Sequence, residues 1–380
     1  MNFTSKLPTV GTTIFTVMSS LSKQYNALNL SQGFPNFEID AKLSELVAKA
    51  MKEGNNQYAP MPGVPALRKA ISEKFQKLYQ STYNPENEIV VTAGATQAIF
   101  TVISAFVQQN EEVILFKPAY DCYEPAIELH GGRVVPIQLK HPDYRVDWTE
   151  VESKITSKTK MIIINTPQNP CATIFSKEDL LELQRITENT DIIVLSDEVY
   201  EHLIFDGQEH QSVCRFPELK KRSFITASFG KTFHATGWKV GYCCGPQELM
   251  NEFVKVHQFN VFSVNHPVQL ALATYLENEE HYNQLPEFFQ QKRDLFLDAI
   301  SGSRFSFVPS QATYFQVLSY DDISDEYDVE FAKRLTREFG IASIPMSVFN
   351  ENQLDFKSLR FCFAKKEDTL LQAADILNKI

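Results

Sequence analysis

Four-residue apolar runs without polar interruption, Met161-Ile162-Ile163-Ile164 and Ile192-Ile193-Val194-Leu195, constrain the fold of this chain more than any other feature. A strand with one face in water alternates apolar and polar residues, whereas a strand covered on both faces reads as a continuous apolar run. Candidate strands recur at Glu88–Thr92, Glu112–Phe116, Arg133–Leu139, Lys160–Asn165, Asp191–Asp197, Ser223–Phe229 and Val240–Cys244. Helical stretches such as Gln97–Gln109 and Lys177–Thr187 lie between them. The alternation predicts an α/β fold with a mostly parallel sheet of about seven strands covered by helices.

The ends of the chain read differently. Leu370, Ala373, Ala374 and Leu377 mark one face of an amphipathic helix. Phe305–Val308, Thr313–Leu318 and Leu359–Phe363 read as strands of a second, smaller α+β unit. With 380 residues, two units are expected. The larger is placed at 46–284 and the smaller at 1–45 joined to 285–380, packed closely with a cleft between them. No repeat, low-complexity tract or flexible linker interrupts this plan.

Composition narrows the function classes. Lys and Arg total 36 against 47 Asp and Glu, a formal net charge of −11, which argues against a broad nucleic-acid-binding face. Small anions would be held by a few specific cations. The six cysteines, Cys122, Cys171, Cys214, Cys243, Cys244 and Cys362, form no CxxC pair and no metal-binding cluster. Reduced thiols in a cytoplasmic protein account for them most simply. No apolar run reaches membrane-spanning length, and no cleavable leader is evident.

The chemically suggestive motifs all fall at ends of predicted strands, where open parallel sheets bind ligands. Gly94-Ala95-Thr96-Gln97 follows a strand and opens a helix, whose free N–H groups suit a phosphate. Such a turn also serves as a mere tight connection. Tyr120 follows the Glu112–Phe116 strand and offers a ring for stacking. Asn169 sits between Pro167 and Pro170, so its amide is held in a fixed loop, although Asn-Pro also marks simple turns. Asp197 emerges from a buried strand, with Tyr200 three residues on, and needs either a cation or a capping role for the next helix. Arg360 lies within an apolar strand, which fits bidentate anion binding or an internal salt bridge.

The stretch from Ser228 to Gly241 sets Lys231 among small and hydroxylated residues, with Lys239 eight positions on. A lysine that attacks a carbonyl must be uncharged, so it needs surroundings that lower its pKa. Ser228 and Lys239 supply a hydroxyl and a charge for a phosphate. The bland alternative is a surface lysine in a Gly-containing loop. This stretch resembles the pyridoxal-phosphate lysine signature of the class I aminotransferases. With the other motifs, essentially the whole chain resembles a fold type I, class I/II aminotransferase. It is most similar to the kynurenine aminotransferase, glutamine transaminase K and methionine aminotransferase group, through Leu30-Ser31-Gln32-Gly33-Phe34-Pro35, Gln57-Tyr58, Asp121-Cys122-Tyr123-Glu124-Pro125 and Arg360-Phe361-Cys362-Phe363-Ala364-Lys365.

The resemblance implies pyridoxal 5'-phosphate as cofactor, bound covalently by Lys231, which then serves as general base and acid. Asp197 would pair with the ring nitrogen, Tyr200 and Asn169 with the ring oxygen, and Tyr120 would stack. Gly94, Ala95, Thr96, Gln97, Ser228 and Lys239 would hold the phosphate. Tyr58 would reach the neighbouring subunit's cofactor, which implies a homodimer, and Phe262 falls where the family also lends a residue across it. Gly33 and Arg360 would bind the substrate carboxylate, with Asn169, Phe15 and Phe262 lining the substrate. The implied reaction moves the amino group of methionine, glutamine, phenylalanine or kynurenine to a 2-oxo acid. β-Elimination from cysteine S-conjugates is the alternative chemistry, and a silent regulatory homologue the alternative class. Cys171-Ala172 and Ala312 depart from the commonest pattern, where Ser/Thr-Gly and Gly are usual.

Overall fold

The computed structural model describes residues 4–380; the first three residues of the expected smaller unit lie outside the described residues. The strands, in chain order, are β1 (Leu28–Asn29), β2 (Ile89–Thr92), β3 (Glu112–Lys117), β4 (Arg133–Gln138), β5 (Thr159–Asn165), β6 (Ile193–Asp197), β7 (Ser223–Ser228), β8 (Gly241–Cys244), β9 (Phe315–Ser319), β10 (Ile341–Ala342), β11 (Ile344–Pro345) and β12 (Ser358–Cys362). Strands β2 to β8 form a seven-stranded sheet in the order β2-β8-β7-β6-β5-β3-β4. All neighbours are parallel except β8, which runs antiparallel to both β2 and β7. All seven expected strands are present, within one or two residues of their predicted bounds.

The continuous apolar runs have a direct physical explanation in this sheet. Ile162 and Ile164 join the core on one face, while Met161 and Ile163 join the separate core on the other. Both halves of the strand's side-chain alternation are therefore buried, as central strands of a two-sided sheet require. The Lys177–Thr187 helix has its predicted bounds and starts with a capping box between Ser176 and Asp179. The helix expected over Gln97–Gln109 instead runs Ala95–Phe106, opened by Gly94 at φ 82°.

The remaining strands form a second layer. β9, β12 and β11 make an antiparallel sheet, and β1 pairs in parallel with β10. The N-terminal segment is thus tied to the C-terminal region, while the Ala41–Lys52 helix straddles the expected division at 45/46. The expected strand Phe305–Val308 is absent. Only Ser306 pairs, with Ser319; the Val308 carbonyl accepts instead from the Gln316 side chain, and Pro309, which has no N–H, follows it. The C-terminal helix spans Glu367–Leu377 and buries Leu370, Ala373, Ala374 and Leu377 as expected.

Behind the sheet edge, Lys74 in the Pro65–Tyr79 helix donates to Glu201 Oε1 at 2.5 Å and to the Tyr242 hydroxyl at 2.7 Å. Tyr79 and Tyr242 donate to the same carboxylate at 2.6 and 2.8 Å. The cluster is buried, so each charge depends on the other. Removing one partner leaves an uncompensated buried ion, at a cost of about 3–5 kcal/mol. Lys74→Met should therefore lower the Tm strongly, and Lys74→Met combined with Glu201→Gln should recover part of the loss in the same thermal unfolding measurement.

Candidate active site

Topology assembles the site. Strands β3, β5, β6 and β7 run parallel, so Tyr120, Asn169, Asp197 and Ser228 emerge from one edge of the sheet. Strand β8 runs the other way, so its beginning reaches that edge, and Gly241 pairs with both Thr92 and Ser228. Lys239, two residues earlier, is thereby carried to the Gly94 turn. A Cβ on Gly241 would lie 2.4 Å from the Ala227 carbonyl oxygen and 3.1 Å from the Ala95 nitrogen. Only glycine fits there. Lys239 holds φ 53°, a left-handed conformation that costs a side-chain-bearing residue free energy.

A cavity of about 160 Å³ opens at this edge. One end is lined by Gly94, Ala95, Thr96, Ser228 and Lys239. The Ala95–Phe106 helix presents its N-terminus here with no side-chain cap, which leaves amide N–H groups for an anion. The rest is lined by Tyr120, Asn169, Asp197, Tyr200 and Lys231. Ten of the sixteen predicted site residues thus share one cavity.

Asp197 is 4% exposed. Its Oδ2 accepts from the Tyr123 hydroxyl at 2.6 Å and its Oδ1 from the Val199 amide at 3.3 Å. Among the described residues it forms no ion pair. Burial raises its pKa to about 6, although the Tyr123 hydrogen bond opposes the shift. The capping alternative is not realised: a turn follows Asp197, and the next helical segment begins only at Val213. Burial lowers the Lys231 pKa to about 8, with Arg360 and Lys239 adding repulsion. Lys231 is therefore no surface lysine. Burial also pushes the Tyr120 and Tyr200 phenols well up, so both remain hydroxyl donors.

Arg360 lies mid-strand in β12 and is 1% exposed. It donates to Asn169 Oδ1 at 2.6 Å and to the Ser31 carbonyl at 3.2 Å, and its buried Nε has no partner. The internal salt bridge is not found among the described residues. Instead its guanidinium lies 3.9 Å from the Phe315 ring centroid, with Phe15 and Phe349 at 5.4 and 5.7 Å. These rings hold the cation without neutralising it. Because an arginine only donates, the oxygen of Asn169 must face it, which turns the Asn169 NH₂ group toward the cavity. Gly33 is shaped by the same stack: a Cβ there would lie 2.8 Å from Phe315.

Of the six predicted residues that do not line the cavity, Gly33, Arg360 and Phe15 belong to the stack just described, while Gln97, Tyr58 and Phe262 are set apart from it. Gln97 turns away, accepting from the Ala93 amide at 3.0 Å and donating to Thr101 at 2.6 Å. Tyr58 is 82% exposed, and its ring meets Phe262 edge-on at 5.5 Å on the surface. Three polar groups that motif reading did not assign belong to the site. Tyr123 holds Asp197. Asn165 accepts from the Asn169 amide at 2.8 Å and donates to the Asp197 carbonyl at 2.9 Å. Tyr314 contacts Lys231 at 3.1 Å. Tyr123 and Asn165 were visible as polar residues beside motif residues, whereas Tyr314 comes from a distant segment.

The comparisons agree with this geometry. The model for the family described as aminotransferase class I and II matches residues 25–377. The chain is 48% identical over 377 residues to the methionine aminotransferase of Escherichia coli (strain K12), covering 99% of this chain and 98% of that one. Kynurenine–oxoglutarate transaminase 1 of Mus musculus is 34% identical over 391 residues, covering 93% and 92%. A solved Escherichia coli structure, assigned a methionine aminotransferase function, superposes with a TM-score of 0.98 at 48% identity over 100% of both chains. Aspartate aminotransferase from Thermus thermophilus, solved with maleate, superposes at 0.91 with 27% identity over 100% of both. On the family match along most of its length and on this strand-edge site, the chain belongs to the class I and II aminotransferases.

Proposed function

We propose that this aminotransferase moves the amino group of a neutral or aromatic L-amino acid, with methionine favoured, to a 2-oxo acid, using pyridoxal 5'-phosphate. One observation carries the substrate reading: among the described residues, a single buried arginine without an acidic partner, Arg360, stands beside a cavity whose only lining cations are Lys231 and Lys239. One free guanidinium matches one carboxylate. Among the described residues no arginine lines the cavity itself to clamp a second carboxylate. The similarity to the Escherichia coli methionine aminotransferase supports methionine within the neutral class.

The donor set fits the cofactor. The helix N-terminus, Ser228 and Lys239 suit a phosphate, and Gly94 leaves the approach open, since a Cβ there would sit 3.5 Å from Lys239 Nζ. Asp197, buried without a cation, suits a protonated ring nitrogen. Asn169 and Tyr200, which line the cavity, would donate toward a ring oxygen, and Tyr120 would stack. When bound, pyridoxal phosphate supplies an electrophilic aldehyde and a ring that stabilises negative charge at the substrate α-carbon. Arg360 orients the substrate carboxylate. Lys231 Nζ, with its lowered pKa, takes the α-proton and delivers it again.

The proposal extends to a homodimer. Tyr58, Phe262 and Phe259 are 82%, 46% and 88% exposed, which is unusual for large aromatics and suits a surface that a second copy covers. Tyr58 and Phe262 then serve the partner's site, and Phe15 with Phe262 walls the substrate. The larger unit at 46–284, the smaller at 1–45 and 285–380, and a cytoplasmic location resting on the cysteine pattern complete the proposal.

The cofactor-loaded protein should lose its visible absorption band when L-methionine is added alone and regain it with a 2-oxo acid. Lys231→Ala should abolish this cycle while thermal unfolding stays cooperative. A kinetic preference for aspartate would contradict the substrate reading. A second outcome concerns pH. The folded-state pKa of Asp197 lies above its ordinary 3.8, at about 6, so its contribution to folding is fully present at low pH and is lost as pH rises through about 6. Between those values the Tm of cofactor-free protein should therefore carry a falling component, and Asp197→Asn should remove it.

A further inference from the structure

We infer that Tyr314 is a positioning residue that orients the amine of Lys231 and so fixes the direction from which this nitrogen takes and returns a proton. This inference rests on the reading of Lys231 as the proton-transferring base. Lys231 Nζ donates to the Gly33 carbonyl at 3.1 Å and to the Tyr314 hydroxyl at 3.1 Å. The Tyr314 hydroxyl spends its own proton on the same Gly33 carbonyl, at 2.7 Å. It can therefore meet Lys231 only as an acceptor.

The consequence follows from tetrahedral nitrogen. One vertex of Nζ is its bond to carbon, and the two oxygens, 2.7 Å apart and each 3.1 Å from Nζ, lie close enough together to share the N–H groups on one side of the nitrogen. The side away from them carries a proton in the ammonium form and the lone pair in the amine form. Lys231 lines the cavity, whereas neither Gly33 nor Tyr314 does. The two acceptors thus lie outside the cavity lining, and the side of the nitrogen away from them is the one left to face the cavity. A base held this way does not have to search rotamers before it takes a proton.

Tyr314 is itself held firmly. It is fully buried, with its ring edge-on to Tyr200 at 5.2 Å and to Phe315 at 4.9 Å. Its backbone carbonyl accepts from the Phe363 amide at 2.9 Å, beside the end of the strand that carries Arg360. The group that binds the substrate carboxylate and the group that aims the base therefore share one rigid framework. Tyr314 precedes Phe315, whose ring stacks on Arg360. Two adjacent residues thus contact the proposed base and the proposed carboxylate-binding group.

Tyr314→Phe removes only the hydroxyl and keeps the ring packing, so it isolates the proposed role. Two readouts test it. In the cofactor-loaded enzyme, the single-turnover reaction with methionine should slow about tenfold, the scale of losing one hydrogen bond that orients a reacting group. The isotope effect with α-deuterated methionine should rise, while methionine affinity stays unchanged. In the cofactor-free chain, Lys231 loses an acceptor that favours its charged form, so its acetylation, followed across pH by mass spectrometry, should have its midpoint at lower pH. Easier labelling with slower proton transfer is a combination that loosened packing alone does not give. A wild-type isotope effect, or an unshifted labelling midpoint, would overturn the role of Tyr314. Persistent single-turnover reaction in Lys231→Ala would instead overturn the reading of Lys231 as base.

Discussion

A buried charge without a counter-ion is costly, and this chain keeps two of them beside one cavity. Asp197 and Arg360 are almost wholly buried, and their hydrogen-bond partners are neutral groups: Tyr123 and the Val199 amide for one, Asn169 and the Ser31 carbonyl for the other. Neutral dipoles orient a charge without cancelling it, so the charge stays available to a ligand. Lys231, aimed by Gly33 and Tyr314, follows the same design. A tightly packed two-sided sheet provides the rigid scaffold for this arrangement.

The direction of β8 is what gathers these groups. Were it parallel to β7, Lys239 would start from the far edge of the sheet. Antiparallel pairing through Gly241 instead puts Lys239, Ser228 and the Gly94 turn around one anion-sized space. The N-terminal segment completes the site from the other side, because β1 pairs with β10 and Cys362 donates to the Leu30 carbonyl at 2.8 Å. Gly33 is held near Lys231 by that connection.

Much of this was legible in the sequence, for identifiable reasons. Central strands announce themselves because both faces are buried, and strand-end residues announce the ligand edge because parallel topology points them one way. Phe305–Val308 misled because apolar content alone does not supply a ladder partner: beyond the single Ser306–Ser319 bridge, the Val308 carbonyl accepts from the Gln316 side chain. Gln97 follows the Gly94 turn, yet its side chain caps its own helix rather than facing the cavity. Tyr314 and Phe315 were hidden because their roles arise from contacts with Lys231 and Arg360 made only after the two layers pack. Ala172, where a glycine is usual in the resembled pattern, still adopts φ 61°. The backbone turn persists without the residue that signals it.

The central claim is that the lysine among the small residues after β7 is the attachment point at this edge. Borohydride reduction of the protein loaded with pyridoxal phosphate, followed by peptide mapping, tests it most directly. The account predicts a single modified peptide carrying the label on Lys231. A label on Lys239 or on a distant lysine, with Lys231 unmodified, would contradict it.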